Sequence, residues 1–197
     1  MESIKKIFFG VIIYGIFLAL IALFLNKVIS LDAYIFFAVS RMYNPYLETF
    51  FNIVTYLGSS VFWIFLIILF WLKNKKKVSL HLLYAFILDT ISLIALKFIF
   101  LRPRPFEVFQ LGNDINMGSS FPSGHTQRAF SGAYILSHYY KKYRILFYSL
   151  SILTAFSRVY LGLHFPLDIL IGAINGILFA VIALAIPTKN IEKRLKH

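Results

Sequence analysis

Six apolar stretches divide the chain, at 7–25, 53–72, 78–101, 123–139, 145–161 and 166–186. A helix that crosses a bilayer needs about 20 residues, and these lengths predict six crossings. The fourth and fifth are short and polar at one end. The expected fold is all-α, a polytopic membrane protein with six transmembrane helices and an interfacial segment between the first two. No soluble domain, internal repeat or low-complexity linker interrupts the pattern, so 1–197 reads as a single domain. Its chemically marked core is about 78–186. Lys5 and Lys6 precede the first stretch as they would a signal peptide. Asn26 and Lys27 follow it with no small-residue cleavage pattern, so it reads as a retained anchor.

The segment 30–52 mixes Tyr34, Phe36, Phe37, Tyr43, Tyr46, Phe50 and Phe51 with Asp32, Arg41 and Glu48. Aromatic rings among charges suit the headgroup boundary. A packed interfacial connector is the favoured reading, and a lipid-facing wall of a substrate entrance the sharper one.

Composition strengthens the membrane reading. Apolar residues make up 59% and charged residues 14%, with a mean hydropathy of +0.77. Soluble chains are nearer half apolar and a quarter charged. The net charge of +12 would suit nucleic acid, but its placement argues for membrane orientation and an anionic ligand instead. The absence of cysteine excludes disulfides, thiolate metal sites and cysteine nucleophiles.

Thirteen of the twenty basic residues fall on one side of the expected membrane. They are Lys5 and Lys6, then Lys73, Lys75, Lys76 and Lys77, then Lys141, Lys142 and Arg144, then Lys189, Lys193, Arg194 and Lys196. The positive-inside bias therefore predicts both termini in the cytoplasm. Lys27, Arg41, Lys97, Arg102, Arg104, Arg128 and Arg158 remain, and the last five lie toward outer span ends. Cations held there against the orientation rule imply an anionic ligand.

Three segments at the outer span ends carry the chemistry. The third stretch exits through KFIFLRPRP, the fourth enters through FPSGHT, and SRVYLGLHFPLD joins the fifth to the sixth. Lys97, Arg104 and Arg158 offer cations and forked donors that match phosphoryl oxygens. Ser123 and Gly124 at a helix start offer free backbone N–H groups, a dipole end and close approach. One histidine can attack phosphorus while the other protonates the departing oxygen. Asp168 follows His164 by four residues and shares its face if a helix begins there. Its carboxylate can then fix the imidazole tautomer, making His164 the better nucleophile and His125 the better acid. No carboxylate cluster suggests a divalent metal, so a reaction without metal or other cofactor is expected.

Lys-x6-Arg-Pro (Lys97, Arg104, Pro105), Pro-Ser-Gly-His (Pro122 to His125) and Ser-Arg-x5-His-x3-Asp (Ser157, Arg158, His164, Asp168) resemble the three signatures of the type 2 phosphatidic acid phosphatase superfamily. Eleven specified positions match in order. The resemblance implies a six-helix membrane fold and a phosphohistidine mechanism without metal. It implies His164 as nucleophile, Asp168 as its partner and His125 as general acid. Lys97, Arg104, Ser123, Gly124 and Arg158 would bind phosphate. Phosphatidate, phosphatidylglycerophosphate, undecaprenyl diphosphate and lipid A phosphates are substrates within the superfamily, and the motifs do not choose among them.

The expected activity is hydrolysis of a lipid phosphate or diphosphate monoester at the outer face of the cytoplasmic membrane, facing periplasm or exterior. The expected partners are that substrate and membrane lipids, without nucleic acid or an obligate protein partner. A phosphotransferase of the same superfamily is the alternative, and a non-enzymatic anion transporter a more distant one. Arg102 is expected to contact headgroups or substrate at the rim. Arg128 would meet a second phosphate or sugar, or pair with a helix neighbour. Glu107 and Asp114 read as solvated, and His81 and His138 as structural. Asp89, in mid-span, reads as hydrogen-bonded, with Asn175 as the guessed partner.

Overall fold

The computed structural model describes residues 29–109 and 118–188, with isolated helical positions 12, 15, 16, 18 and 19 in the first apolar stretch. Lys5, Lys6, Lys27, Asp114, the rest of the first stretch and the basic residues of the C-terminus lie outside the described residues. All regular structure among those described is helical. It comprises α1 (Ile29–Ser40), α2 (Pro45–Val54), a 3₁₀ turn (Thr55–Gly58), α3 (Ser60–Leu72), α4 (Lys76–Phe100), α5 (Pro105–Val108), α6 (Gly124–Tyr139), a second 3₁₀ turn (Lys141–Tyr143), α7 (Arg144–Tyr160) and α8 (Pro166–Ala185).

Local chemistry sets the boundaries. The Asn44 side chain caps α2 by accepting from the Tyr46 and Leu47 N–H groups, and Pro45 stands where a helix lacks an internal acceptor anyway. The expected 53–72 helix is instead broken. The Ser59 hydroxyl accepts the Phe62 N–H and starts α3 afresh, at a 52° bend from the helix before it. Gly58, ahead of the break, lies so close to His125 that a Cβ would come within 2.5 Å of its carbonyl oxygen. Leu101, left-handed at φ 41°, and the two prolines after it stop α4. Pro166 opens α8, and the Asp168 carboxylate reaches back to the Phe165 N–H at 2.8 Å.

By length and apolarity α4 and α8 can each cross a membrane, and the bent α2–α3 pair can form a third span. At 16 and 17 residues, α6 and α7 are shorter than a full crossing, as their sequence stretches indicate. The helices alternate in direction. His81 near the start of α4 bonds the Tyr139 hydroxyl at the end of α6 and the Ile186 carbonyl just beyond α8. Lys97 near the other end of α4 donates to the Ser119 carbonyl ahead of α6.

Glycine brings α6 and α8 into backbone contact. A Cβ on Gly172 would meet the Ser123 carbonyl oxygen at 2.7 Å, and one on Gly176 the Gln127 carbonyl oxygen at 2.1 Å. Helices in lipid gain little from burying apolar surface, so close approach at small residues does much of the holding. A larger apolar cluster forms around Trp63, Leu82, Ile135 and Ala180. A smaller one joins Phe36 of α1 to Val159 and Phe165 beside the α7–α8 turn.

Candidate active site

Three separate segments meet at the end of the bundle where α6 and α8 begin. The α7–α8 turn is tight, because the Arg158 carbonyl accepts from both Leu163 and His164 N–H, and Gly162 supplies a φ of +71°. His164 is thereby fixed by its backbone, and its side chain is 3% exposed. Its Nδ1 faces Asp168 Oδ2 at 3.6 Å, an ion-pair separation longer than a hydrogen bond. Nε2 is therefore the nitrogen left for chemistry. Burial pushes this imidazole down from 6.5 to about 4, with Asp168 opposing and Arg158 and Arg104 adding to the fall. It is neutral at physiological pH, as a nucleophile requires.

The Pro-Ser-Gly-His segment is anchored to the same region. The Ser123 N–H donates to the Asp168 carbonyl at 3.0 Å, and the Ser123 hydroxyl accepts from Thr126 at 3.1 Å. Ser123 and Gly124 are buried at the start of α6, with half-buried His125 following. Arg158, Arg128, His164 and Arg104 all lie within electrostatic reach of His125.

The cations are tethered by neutral oxygens. Lys97 reaches the Ser119 carbonyl. Arg104 donates Nε to the Gly118 carbonyl at 3.2 Å and Nη1 to the Leu163 carbonyl at 3.0 Å. Arg158 Nη1 reaches the Thr55 hydroxyl at 2.8 Å. Neutral tethers hold a guanidinium in place while leaving its charge for an anion. Desolvation also lowers the Arg104 value, so the cost of holding that cation is considerable. The structure thus brings Lys97, Arg104, Ser123, Gly124, His125, Arg158, His164 and Asp168 to one place.

Arg102 differs from its expected place at the rim. Its side chain is 7% exposed, with Nη1 on Asp168 Oδ1 at 2.7 Å and Nη2 on Asp32 Oδ2 at 2.5 Å. The guanidinium stacks over the Phe165 ring at 4.3 Å. Two buried carboxylates draw it inward, where a headgroup does not compete. Arg128 is half-buried. It donates weakly to the Gly124 carbonyl at 3.4 Å and lies 5.8 Å from the Phe86 ring centre. It also contributes to the wall of an apolar groove of about 170 Å³ with Leu57, Trp63, Leu136, Phe147 and Thr154.

Asp32 and Thr55 are absent from the sequence-derived site. Asp32 carries one of only eight acidic charges in the chain, a clue that it has a partner. Glu107, read as solvated, accepts the Arg104 N–H at 3.0 Å. Asp89 accepts from Gln127 Nε2 at 3.0 Å, so α6 supplies a partner that the guess of Asn175 on α8 passed over. Among the described residues no group of three or more His, Cys, Asp or Glu is placed to hold a metal.

An all-helical membrane bundle with this cluster of cations and histidines defines a class, and the chain belongs to the PAP2 superfamily, which it matches over residues 78–192. Among curated proteins it is 29% identical to the bacitracin transport permease protein BcrC of Bacillus licheniformis, over 58% of this chain and 60% of that one. It is 30% identical to an undecaprenyl-diphosphatase of Sulfolobus acidocaldarius, over 63% of this chain and 64% of that one. The chain thus spans about six-tenths of the length of these relatives. The solved structure of Aquifex aeolicus LpxE matches with a TM-score of 0.70 and 34% identity, over 79% of this chain and 96% of that one. A transmembrane PAP2-type phosphatidylglycerolphosphate phosphatase from Bacillus subtilis matches with a TM-score of 0.73 and 28% identity, over 100% and 99% of the two chains.

Proposed function

We propose that the protein is a membrane lipid phosphatase that cleaves a phosphate or diphosphate monoester through a phosphohistidine, without metal, at the outer face of the membrane. The observation that carries this reading is the buried His164, with Nδ1 toward Asp168 and the Lys97, Arg104 and Arg158 cations around it. His164 Nε2 attacks phosphorus, and a P–O bond breaks as the N–P bond forms. His125, protonated once the anionic phosphate lies beside it, gives its proton to the departing oxygen, which leaves as the lipid alcohol or lipid monophosphate. His125 then takes a proton from water, whose oxygen attacks phosphorus. The N–P bond breaks, releasing inorganic phosphate and restoring neutral His164.

Lys97, Arg104 and Arg158, with the N–H groups at the start of α6, neutralise the transferring phosphoryl group, the task that metal ions perform in many phosphoryl transferases. The groove beside Arg128 suits an apolar chain attached to that phosphate. Undecaprenyl diphosphate and phosphatidylglycerophosphate are the first substrates to test, because they correspond to the names that similar proteins carry.

The test is phosphate release by purified protein in detergent with excess EDTA. Its panel contains these two lipids, phosphatidate and lipid A. Release from at least one is expected, falling by about a thousandfold or more in His164→Ala. Activity abolished by EDTA would overturn the metal-independent part. A phosphorylated lipid acceptor in place of free phosphate would identify a phosphotransferase.

A further inference from the structure

Asp32 lies in the aromatic connector, far in sequence from the three signature segments, yet its carboxylate is 3% exposed and fully engaged. Oδ1 accepts the Leu167 N–H at 2.8 Å in the first turn of α8, and Oδ2 accepts Arg102 Nη2. The other end of the guanidinium fork holds Asp168 Oδ1. Asp168 then has Oδ2 for the Phe165 N–H and for the approach to His164 Nδ1. Phe36, one turn along α1 from Asp32, packs on Phe165, with ring centres 5.7 Å apart. A helix outside the signatures therefore grips the turn that presents His164, through both an ion pair and a ring contact.

Charge counting gives this arrangement a purpose. Asp32, Arg102 and Asp168 carry one positive and two negative charges, in side chains that are 7% exposed or less. At such burial charges act on one another with little solvent screening. When His164 bonds to phosphorus and keeps its Nδ1 proton, its ring becomes cationic, and the four groups together become neutral. Without Asp32 the same cluster would start neutral and end with a buried net positive charge. Arg102 would then turn wholly to Asp168 and consume the negative charge that His164 needs.

We propose that Asp32 is a positioning residue for phosphoryl transfer, sharing Arg102 so that the Asp168 carboxylate stays aimed at His164 with its charge only partly compensated. This rests on the phosphatase reading above. Asp32 is buried with both oxygens engaged by Arg102 and Leu167, so its removal should act on turnover and leave the binding cations Lys97, Arg104 and Arg158 in place.

The test is a cycle of Asp32→Asn, Arg102→Gln and the double variant, with kcat and KM measured on the lipid the wild type cleaves and thermal unfolding followed in the same detergent. Asp32→Asn is expected to lower kcat about tenfold or more, with KM within about twofold. Arg102→Gln added to it removes the cation that would otherwise turn wholly to Asp168, so the double variant should recover part of that loss. Asp32→Glu, which keeps the charge, should stay within a few-fold of wild type, and it carries the test if Asp32→Asn does not fold. Wild-type kcat in Asp32→Asn, multiplicative losses in the double variant, a change confined to KM, or a kcat loss in folded Asp32→Glu as deep as in Asp32→Asn would each overturn the relay alone. A wild type inactive on the whole panel, or activity that survives His164→Ala, would instead remove the phosphatase reading and the relay with it.

Discussion

At His164, burial and charge act in opposite directions, and burial dominates. The Asp168 carboxylate favours the imidazolium, yet the ring titrates near 4 because the turn hides it from water. A protonated His164 has no lone pair for phosphorus, so the rate should fall as pH drops through the value of the folded enzyme. Once the substrate's own titration is accounted for, the acid limb of kcat/KM is expected near pH 4, well below the 6.5 of an ordinary histidine. Asp168→Asn removes the charge that raises the value, so the limb should move lower still while the plateau falls. A pH–rate series in detergent measures both, and a limb left near 6.5 would show that this histidine is not the buried one of the structure. The signature residues were legible because their spacing is strict and each type has a phosphate-binding or proton-transfer use. Asp32 was not, because 70 residues separate it from Arg102 and no periodicity links an interfacial acid to a distant arginine. Arg102 was misplaced for the same reason. With its acidic partners unknown, a cation beside two prolines at a span end reads as facing the rim.

Among the elements, the tightest constraint is the seam between α6 and α8. Gly172 and Gly176 lie four residues apart on one face of α8 and meet the first turns of α6, which carry Ser123 and Gln127. The contact fixes the height of the α6 start, with Ser123 and Gly124, against the turn that holds His164. Gly176→Ala would press a methyl into the Gln127 carbonyl at 2.1 Å, and backbone cannot swing aside as a side chain can. The helices must then separate, at a cost of about 1–3 kcal/mol for overpacking. Thermal unfolding in detergent should show a lower midpoint, and phosphate release should fall with it because the two halves of the site move apart. An unchanged midpoint with full activity would mean that the seam is looser than the structure has it. Four helices follow closely from apolar runs bounded by proline, glycine and charge. The broken second span does not, because Gly58-Ser59-Ser60 is a short small-residue interruption with long apolar runs on either side. The Ser59 cap starts α3, and the neighbour holds the turn before it, which packs Gly58 against His125 and supplies Thr55 to Arg158.

Across the whole molecule, charge and chemistry separate to opposite ends. The lysine-rich connections after α3 and α6 share one end with His81 and the Ile186 carbonyl, while the cluster around His164 occupies the other. A bundle in this arrangement has only two orientations. The positive-inside bias predicts the one with the site outside, as proposed above. Because the chain has no cysteine, a single introduced thiol can report on orientation without background. Glu107→Cys marks the exposed outer connection, although it gives up the carboxylate that receives the Arg104 N–H, and Lys142→Cys marks the basic end. A membrane-impermeant maleimide applied to intact cells, with any outer membrane first made permeable, should label position 107 at once. It should label 142 only after the cytoplasmic membrane is lysed. The reverse pattern would turn the active site toward the cytoplasm, so that phosphate is released inside and the lipid must reach the enzyme from the inner leaflet. Labelling of both positions before lysis would break the link between basic loops and orientation, because the two connections lie at opposite ends of the same helices.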